Sequence, residues 1–207
     1  MRKHTAAMKK HTVMPAAIGL IAAVGIVCAT GMGDIRGSKH DFSASGWSDG
    51  EICKPCHTPH FANSQAAPLW NHEQTSATYT LYDSDSMDAE PGQPGIASTL
   101  CLSCHDGTVA LDSFGGTTGV NMIDGSGLIG TDLSNDHPVG IDWLHQDDPS
   151  NCLDCHNFWG DQLRPLPFFD GKVECMSCHE PHNSKNIDGM LRLSLIRSQL
   201  CMICHSI

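Results

Sequence analysis

The sequence predicts a mostly irregular chain, with short helices and a few short strands. It holds too little apolar side-chain material to build a large core of its own. Five copies of Cys-x-x-Cys-His run through its 207 residues: CKPCH at 53–57, CLSCH at 101–105, CLDCH at 152–156, CMSCH at 175–179 and CMICH at 201–205. Aromatic residues make up only 6% of the chain, and no apolar segment after residue 29 is long. The repeated motif is the attachment signature of c-type haem. Its two thiols add across the porphyrin vinyl groups, and the adjacent His ligates the iron from one face. Zinc ribbons take two dithiol pairs per metal, which would leave one of five pairs unmatched. A disulfide framework gives no reason for His after every second Cys. The fold class is therefore a multihaem cytochrome c with stacked haems as the core, the role that metals and crosslinks play in other under-filled scaffolds.

The N-terminus, residues 1–31, reads as an export signal. Arg2, Lys3, Lys9 and Lys10 form a basic region, an apolar stretch runs from Val13 to Ala29, and Ala29 and Gly31 suit the small positions of a cleavage site. The stretch is nearly long enough for an uncleaved membrane anchor, but no basic stop-transfer cluster follows it. The eleventh cysteine, Cys28, lies in this segment, so every cysteine of 32–207 belongs to a haem motif. Export to an oxidising compartment agrees with haem attachment. Cleavage removes four of the 12 Lys+Arg and none of the 23 Asp+Glu, leaving 8 against 23 and a net charge of −15. Such acidity argues against nucleic acid and anionic lipid as partners.

Residues 32–207 then form one pentahaem domain. The motif starts are spaced by 48, 51, 23 and 26 residues, so the last three sites are close in sequence and long insertions follow the first two. In the first insertion, Thr78–Tyr82 reads as a short strand. The acids after it, Asp83, Asp85, Asp88 and Glu90, lack the glycine of a calcium loop. Residues 106–136 hold seven glycines and read as loop with short strand pairs. Short helical turns are expected at the motifs. Another helix is expected from Ser184 onward, where Leu191, Leu195 and Ile196 sit at helical spacing. Trp47, Trp70, Trp143, Trp159, Phe168 and Phe169 are expected to cover porphyrin faces.

The haem-attaching cysteines are Cys53, Cys56, Cys101, Cys104, Cys152, Cys155, Cys175, Cys178, Cys201 and Cys204, and the proximal ligands are His57, His105, His156, His179 and His205. Six histidines remain outside the signal for the opposite iron faces: His40, His60, His72, His137, His145 and His182. Six against a demand of five predicts bis-histidine ligation throughout. His60 and His182 share an echo, CHTPH and CHEPH, in which Pro fixes a turn between two imidazoles. Neither can reach the opposite face of its own haem, so each suits a neighbouring one. His137 is stiffened in the same way by Pro138. His40 lies near the new N-terminus, where a short arm suits a ligand acting in trans.

SKHDFS, CKPCHTPH, PLWNH, LCLSCHDGTVALDSFGG, NDHPVG, VECMSCHEPHN and the terminal CMICH resemble the doubled-CXXCH multihaem cytochromes. They are most similar to the tetrahaem outer-surface cytochromes of metal-reducing bacteria that polymerise into nanowires. The resemblance spans nearly the whole of 32–207. It implies a continuous chain of bis-histidine haems and a His from one subunit ligating a haem of the next. CLDCH at 152–156 departs from that pattern as an additional site, with His145 or His72 its natural extra ligand.

The resemblance implies electron transfer in a homopolymer at the cell surface or outside the cell. Its partners there are redox proteins or extracellular electron acceptors, with no membrane contact after signal cleavage. The alternative is a soluble periplasmic shuttle that donates to a reductase. A multihaem reductase is disfavoured, because all five motifs keep His and the spare histidines leave no iron that must stay open. No carboxylate pair or nucleophile pattern stands out, so the chain is read as no enzyme. Denaturing mass spectrometry of the mature protein is expected to give the apoprotein plus five covalent haem c masses and no titratable thiol. Four haem masses, or a free cysteine, refute the count.

Overall fold

Helix α1, Ile96–His105, begins where Pro94-Gly95 ends an extended approach, and it carries the whole CLSCH motif. Gly95 offers no side-chain cap of its own. Its N–H is instead taken by the carboxylate of Glu174, at 3.1 and 3.2 Å. Within the helix, Thr99 and Ser103 return their hydroxyls to the carbonyls of Gly95 and Thr99, at 2.9 and 2.7 Å, which lets polar residues sit on a buried face. The helix stops at Gly107, whose φ of 73° is the left-handed position that ends helices. A Cβ there would also meet Leu128 Cδ1 at 2.6 Å.

A computed structural model of the chain describes residues 35–64, 66, 68–87, 89–142 and 166–205, all within one unit, Gly31–Ile207. Regular structure is sparse there. Helix α2, Cys175–Cys178, carries the next described motif, opens on a capping box between Glu174 and Ser177, and packs against α1. Strands β1, Ile141–Asp142, and β2, Lys172–Val173, pair antiparallel with Ile141 opposite Val173, and a 2.9 Å ion pair joins Lys172 to Asp142. Isolated bridges pin the remaining loops, among them His57 to Trp70, His72 to Phe114 and His179 to Leu191. No helix among the described residues is long and apolar enough to cross a membrane.

Leu102 is 1% exposed and packs with Tyr79 and Leu133, flanked by Ala77 and Leu81. Tyr79 donates its hydroxyl to Asp106 at 2.8 Å and so ties this cluster to the end of α1. The cluster is small, while Val120, Leu195 and Ile196 stand largely in solvent. Side chains alone therefore bury little here, as expected of a chain that packs on something else.

Two local expectations are replaced. Thr78–Tyr82 forms no strand: Gln93 brackets Tyr79 with two amide hydrogen bonds of 2.9 Å, and Thr80 makes a single parallel bridge to Asp132. A side-chain amide thus takes the bonds that a ladder would have used. The stretch after Ser184 forms short 3₁₀ turns, Asp188–Met190, Ile196–Ser198 and Cys201–Ile203, and no α-helix. Gly189, Met190, Arg197 and Ser198 all adopt positive φ, which breaks the helical path. Leu195 and Ile196 bury no common face to repay helix nucleation.

Leu102→Ala is expected to destabilise the protein by about 2–5 kcal/mol, the range for a buried Leu that leaves a cavity. Val120→Ala should stay within about 0.5 kcal/mol. Denaturant midpoints at unchanged slope check both.

Candidate haem sites

The spacing i, i+3, i+4 is the spacing of one helical face. In 53–57, 175–179 and 201–205 the His N–H donates to the carbonyl of the first Cys, at 2.8, 2.9 and 2.9 Å. In 101–105 the same turn is the last of α1. Each described motif thus carries its two thiols and its imidazole on one side of a single turn. None of the eight described cysteines is paired in a disulfide. Burial pushes Cys56 up to about 11 and Cys104 up to about 12, and raises Cys178. Cys101 is raised by its hydrogen bond with Cys175 and then by burial, while the same bond lowers Cys175. The thiols also mark neighbours. Cys56 acts on Cys104, Cys101 bonds Cys175, and Cys201 acts on Cys178. The motifs at 101–105 and 175–179 lie side by side through the packing of α1 on α2.

The imidazoles share one habit. The Nδ1–H of His57, His105 and His179 donates to the carbonyls of Pro68, Gly127 and Gly189, at 3.0, 2.6 and 2.7 Å. Among the candidate opposite ligands, His40 donates to Pro181 O at 3.3 Å, His137 to Pro138 O at 3.0 Å and His182 to the Glu180 carboxylate at 3.1 Å. A bonded Nδ1–H leaves Nε2 unprotonated for a metal and fixes the ring's orientation. Glu180 is half-buried, which raises its pKa, but hydrogen bonds from Ser184 and His182 outweigh this and hold it down at about 2.

Three proximal rings face an opposite ring. His57 and His182 have centres 6.0 Å apart, His40 and His105 6.0 Å, and His137 and His205 6.2 Å. Metal–imidazole bonds of about 2 Å on opposite faces of one iron place two ring centres roughly 6 Å apart. The donor set therefore fits haem. Beside the first motif, the buried Trp70 indole N–H and Gln74 amide lack a protein acceptor among the described residues, which suits a bound group carrying carboxylates. A cleft of about 180 Å³ is lined by Cys175, Cys178, His179, Leu102, Leu133 and Val173, which brings the thiols of the fourth motif to an apolar wall.

Some candidates sit elsewhere than expected. His40 is packed against Phe42 and faces His105 of its own chain, so it does not extend as an arm toward a neighbour. Burial lowers its pKa, which keeps the ring neutral. His72 is 4% exposed, with Nδ1 at 2.7 Å from Glu73 O and Nε2 at 3.0 Å from Ala110 O. Its Nε2 also lies 3.5 Å from Cys104 Sγ. A neutral imidazole donates through one nitrogen only, so one of the two carbonyls is its acceptor, and the ring links 71–73 to 110–114. His60 is exposed, with no imidazole opposite it among the described residues, and His179 likewise. Trp47 packs between Phe42 and Phe114, and Trp70 lies edge-on to His57. Cys152, Cys155, His156, His145, Trp143 and Trp159, with the signal, lie outside the described residues. Sequence reasoning missed Glu180 and Glu174. Glu180 was legible in the echo, where CHEPH has a carboxylate at the position of Thr58 in CHTPH.

A family model for the doubled CXXCH motif matches residues 167–206, which take in the fourth and fifth motifs. No curated protein matches the chain. The chain thus carries the paired haem-attachment motif of a c-type cytochrome-like multihaem protein, an electron carrier by type.

His182→Ala is expected to convert one haem to high spin in the ferric absorption spectrum. His72→Gln should leave every haem low-spin. Two unchanged spectra would overturn the His57–His182 pairing, and a high-spin His72→Gln variant would restore His72 as a ligand.

Proposed function

We propose that the chain carries electrons along a row of five bis-histidine c-type haems, as an exported subunit of an extracellular cytochrome filament. The carrying observation is the set of three imidazole pairs at 6.0–6.2 Å, five of whose six rings have Nδ1–H engaged. A haem at such a site supplies one-electron chemistry between ferric and ferrous iron. The protein's part is to hold neighbouring sites close, set their potentials and exclude side reactions. Paired imidazoles leave no open iron position, which suits a conduit and not a reductase.

Self-association is supported by what is left unpaired. His60 projects beside Phe61, which is 105% exposed at a φ of 58°, a costly backbone for a bulky residue. Leu69 nearby is also exposed. Among the described residues neither His60 nor His179 has an opposite ring, so the two are complementary, and a contact between different patches of two copies propagates as a filament. His60 takes the trans role that the N-terminal position of His40 suggested. The net charge of −15 on 32–207 opposes association and favours the periplasmic shuttle as the second reading. A metal–ligand bond is a link strong enough to hold against that repulsion.

Wild type is expected to form filaments in negative stain that persist in high salt. His60→Ala should run as a monomer on size exclusion, with one haem high-spin. Wild type that is monomeric at all concentrations, with every haem six-coordinate, establishes the shuttle.

A further inference from the structure

Glu174 is 1% exposed, and a buried carboxylate is costly unless its lone pairs are taken. Here both oxygens accept from Gly95 N, at 3.1 and 3.2 Å, and Ser98 donates its hydroxyl to Oε2. Ser98 Oγ in turn accepts from Cys175 N at 2.8 Å, and Glu174 N donates to Ser177 Oγ at 3.0 Å. This closed ring joins the first turn of α1, which carries CLSCH, to the first residue of α2, which carries CMSCH. Gly95 is required, because a Cβ there would lie 2.5 Å from Glu174 Oε1. The ring sits where α1 packs on α2, and Glu174 lines the cleft that holds Cys175, Cys178 and His179.

An anchor alone would not need a charge. A glutamine could accept from Gly95 and Ser98 at far lower desolvation cost. Two helix N-termini, the Ser98 hydroxyl and Lys172 stabilise the ionised form. Burial works the other way and raises the carboxyl's pKa. A negative charge in low dielectric beside two one-electron centres favours their oxidised, more positive state.

Resting on the haem reading above, we propose that Glu174 is a positioning residue that joins the second and fourth attachment sites into one unit. It clamps their helices together, and its charge lowers both reduction potentials in step.

The test is a redox titration of the full holoprotein, with each haem followed by the paramagnetic shifts of its methyl protons. Glu174→Gln is expected to keep all five haem masses and the low-spin spectrum. The haems at 101–105 and 175–179 should rise together by roughly tenfold in their reduction equilibrium, about 59 mV for a one-electron couple. The other haems should not move. Glu174→Asp keeps the charge and should return both potentials toward wild type, although it fits the clamp less well. A purely structural anchor gives the opposite order, with Gln near wild type and Asp displaced. Should the Gln variant fail to mature, Ser98→Ala decides: the same two potentials shift together, or the proposal fails. Unchanged potentials, or a shift shared by all haems, overturn it. Wild-type mass without haem at these motifs sinks the haem reading instead.

Discussion

The orientation of imidazoles by backbone carbonyls is the constraint from which the rest of this structure follows. Pro68, Gly127 and Gly189 each turn a carbonyl onto the Nδ1–H of a motif histidine. Each of these acceptors comes from 10 to 22 residues beyond the motif it serves. The segment after each of these three motifs therefore folds back over its own histidine. That requirement explains the chain's irregularity better than any propensity does. Regular helix survives where the return loop leaves room, as in α1, and shrinks to a single turn elsewhere. Proline carbonyls recur as acceptors on His57, His40 and His137. A proline has no N–H to satisfy, and its fixed φ aims the chain.

Packing is subordinate to this arrangement. The Tyr79–Leu102–Leu133 cluster is too small to organise 32–207, and its contacts all serve α1. Polar links take over where a larger domain would use apolar area. His72 links two loops through its ring, Asp106 takes the Tyr79 hydroxyl, and Gln93 replaces a missing strand for Tyr79. Buried polar groups are safe only when fully satisfied. The Tyr79 hydroxyl on Asp106 and the paired amide bonds of Gln93 meet that condition, at little cost in area. The open donors of Trp70 and Gln74 are the places where protein partners run out.

Motif chemistry was legible in the sequence because it is local. Two thiols and an imidazole at i, i+3 and i+4 need only one turn to converge. The candidate ligand set was legible by counting. What counting could not supply is long-range pairing, since His182 faces His57 across 125 positions and His40 faces His105 across 65. His72 looked like any spare histidine, because nothing local reveals two carbonyls closing on it. The helix expected after Ser184 failed for the reason periodicity arguments often fail. Apolar spacing was present, but no surface existed for that face to bury against. Glu174 was invisible for the same reason as the pairings: its partners lie 76 to 79 residues away.

The contact between the second and fourth motifs gives the long insertion between them a physical meaning. The chain brings 101–105 against 175–179 by packing α1 on α2, and everything between them must leave and return at that junction. Strand β1 ends at Asp142 and β2 begins at Lys172, paired in register, so the chain departs and re-enters at one point. Closing a loop of this length adds little entropy cost over a shorter one, since the penalty grows only with the logarithm of length. The antiparallel pair and the Lys172–Asp142 ion pair hold its mouth. The third motif, CLDCH, falls between these two strands in the sequence. The strand pair at Ile141–Asp142 and Lys172–Val173 closes the chain on either side of 143–171, so the packing of α1 on α2 does not depend on what those residues carry.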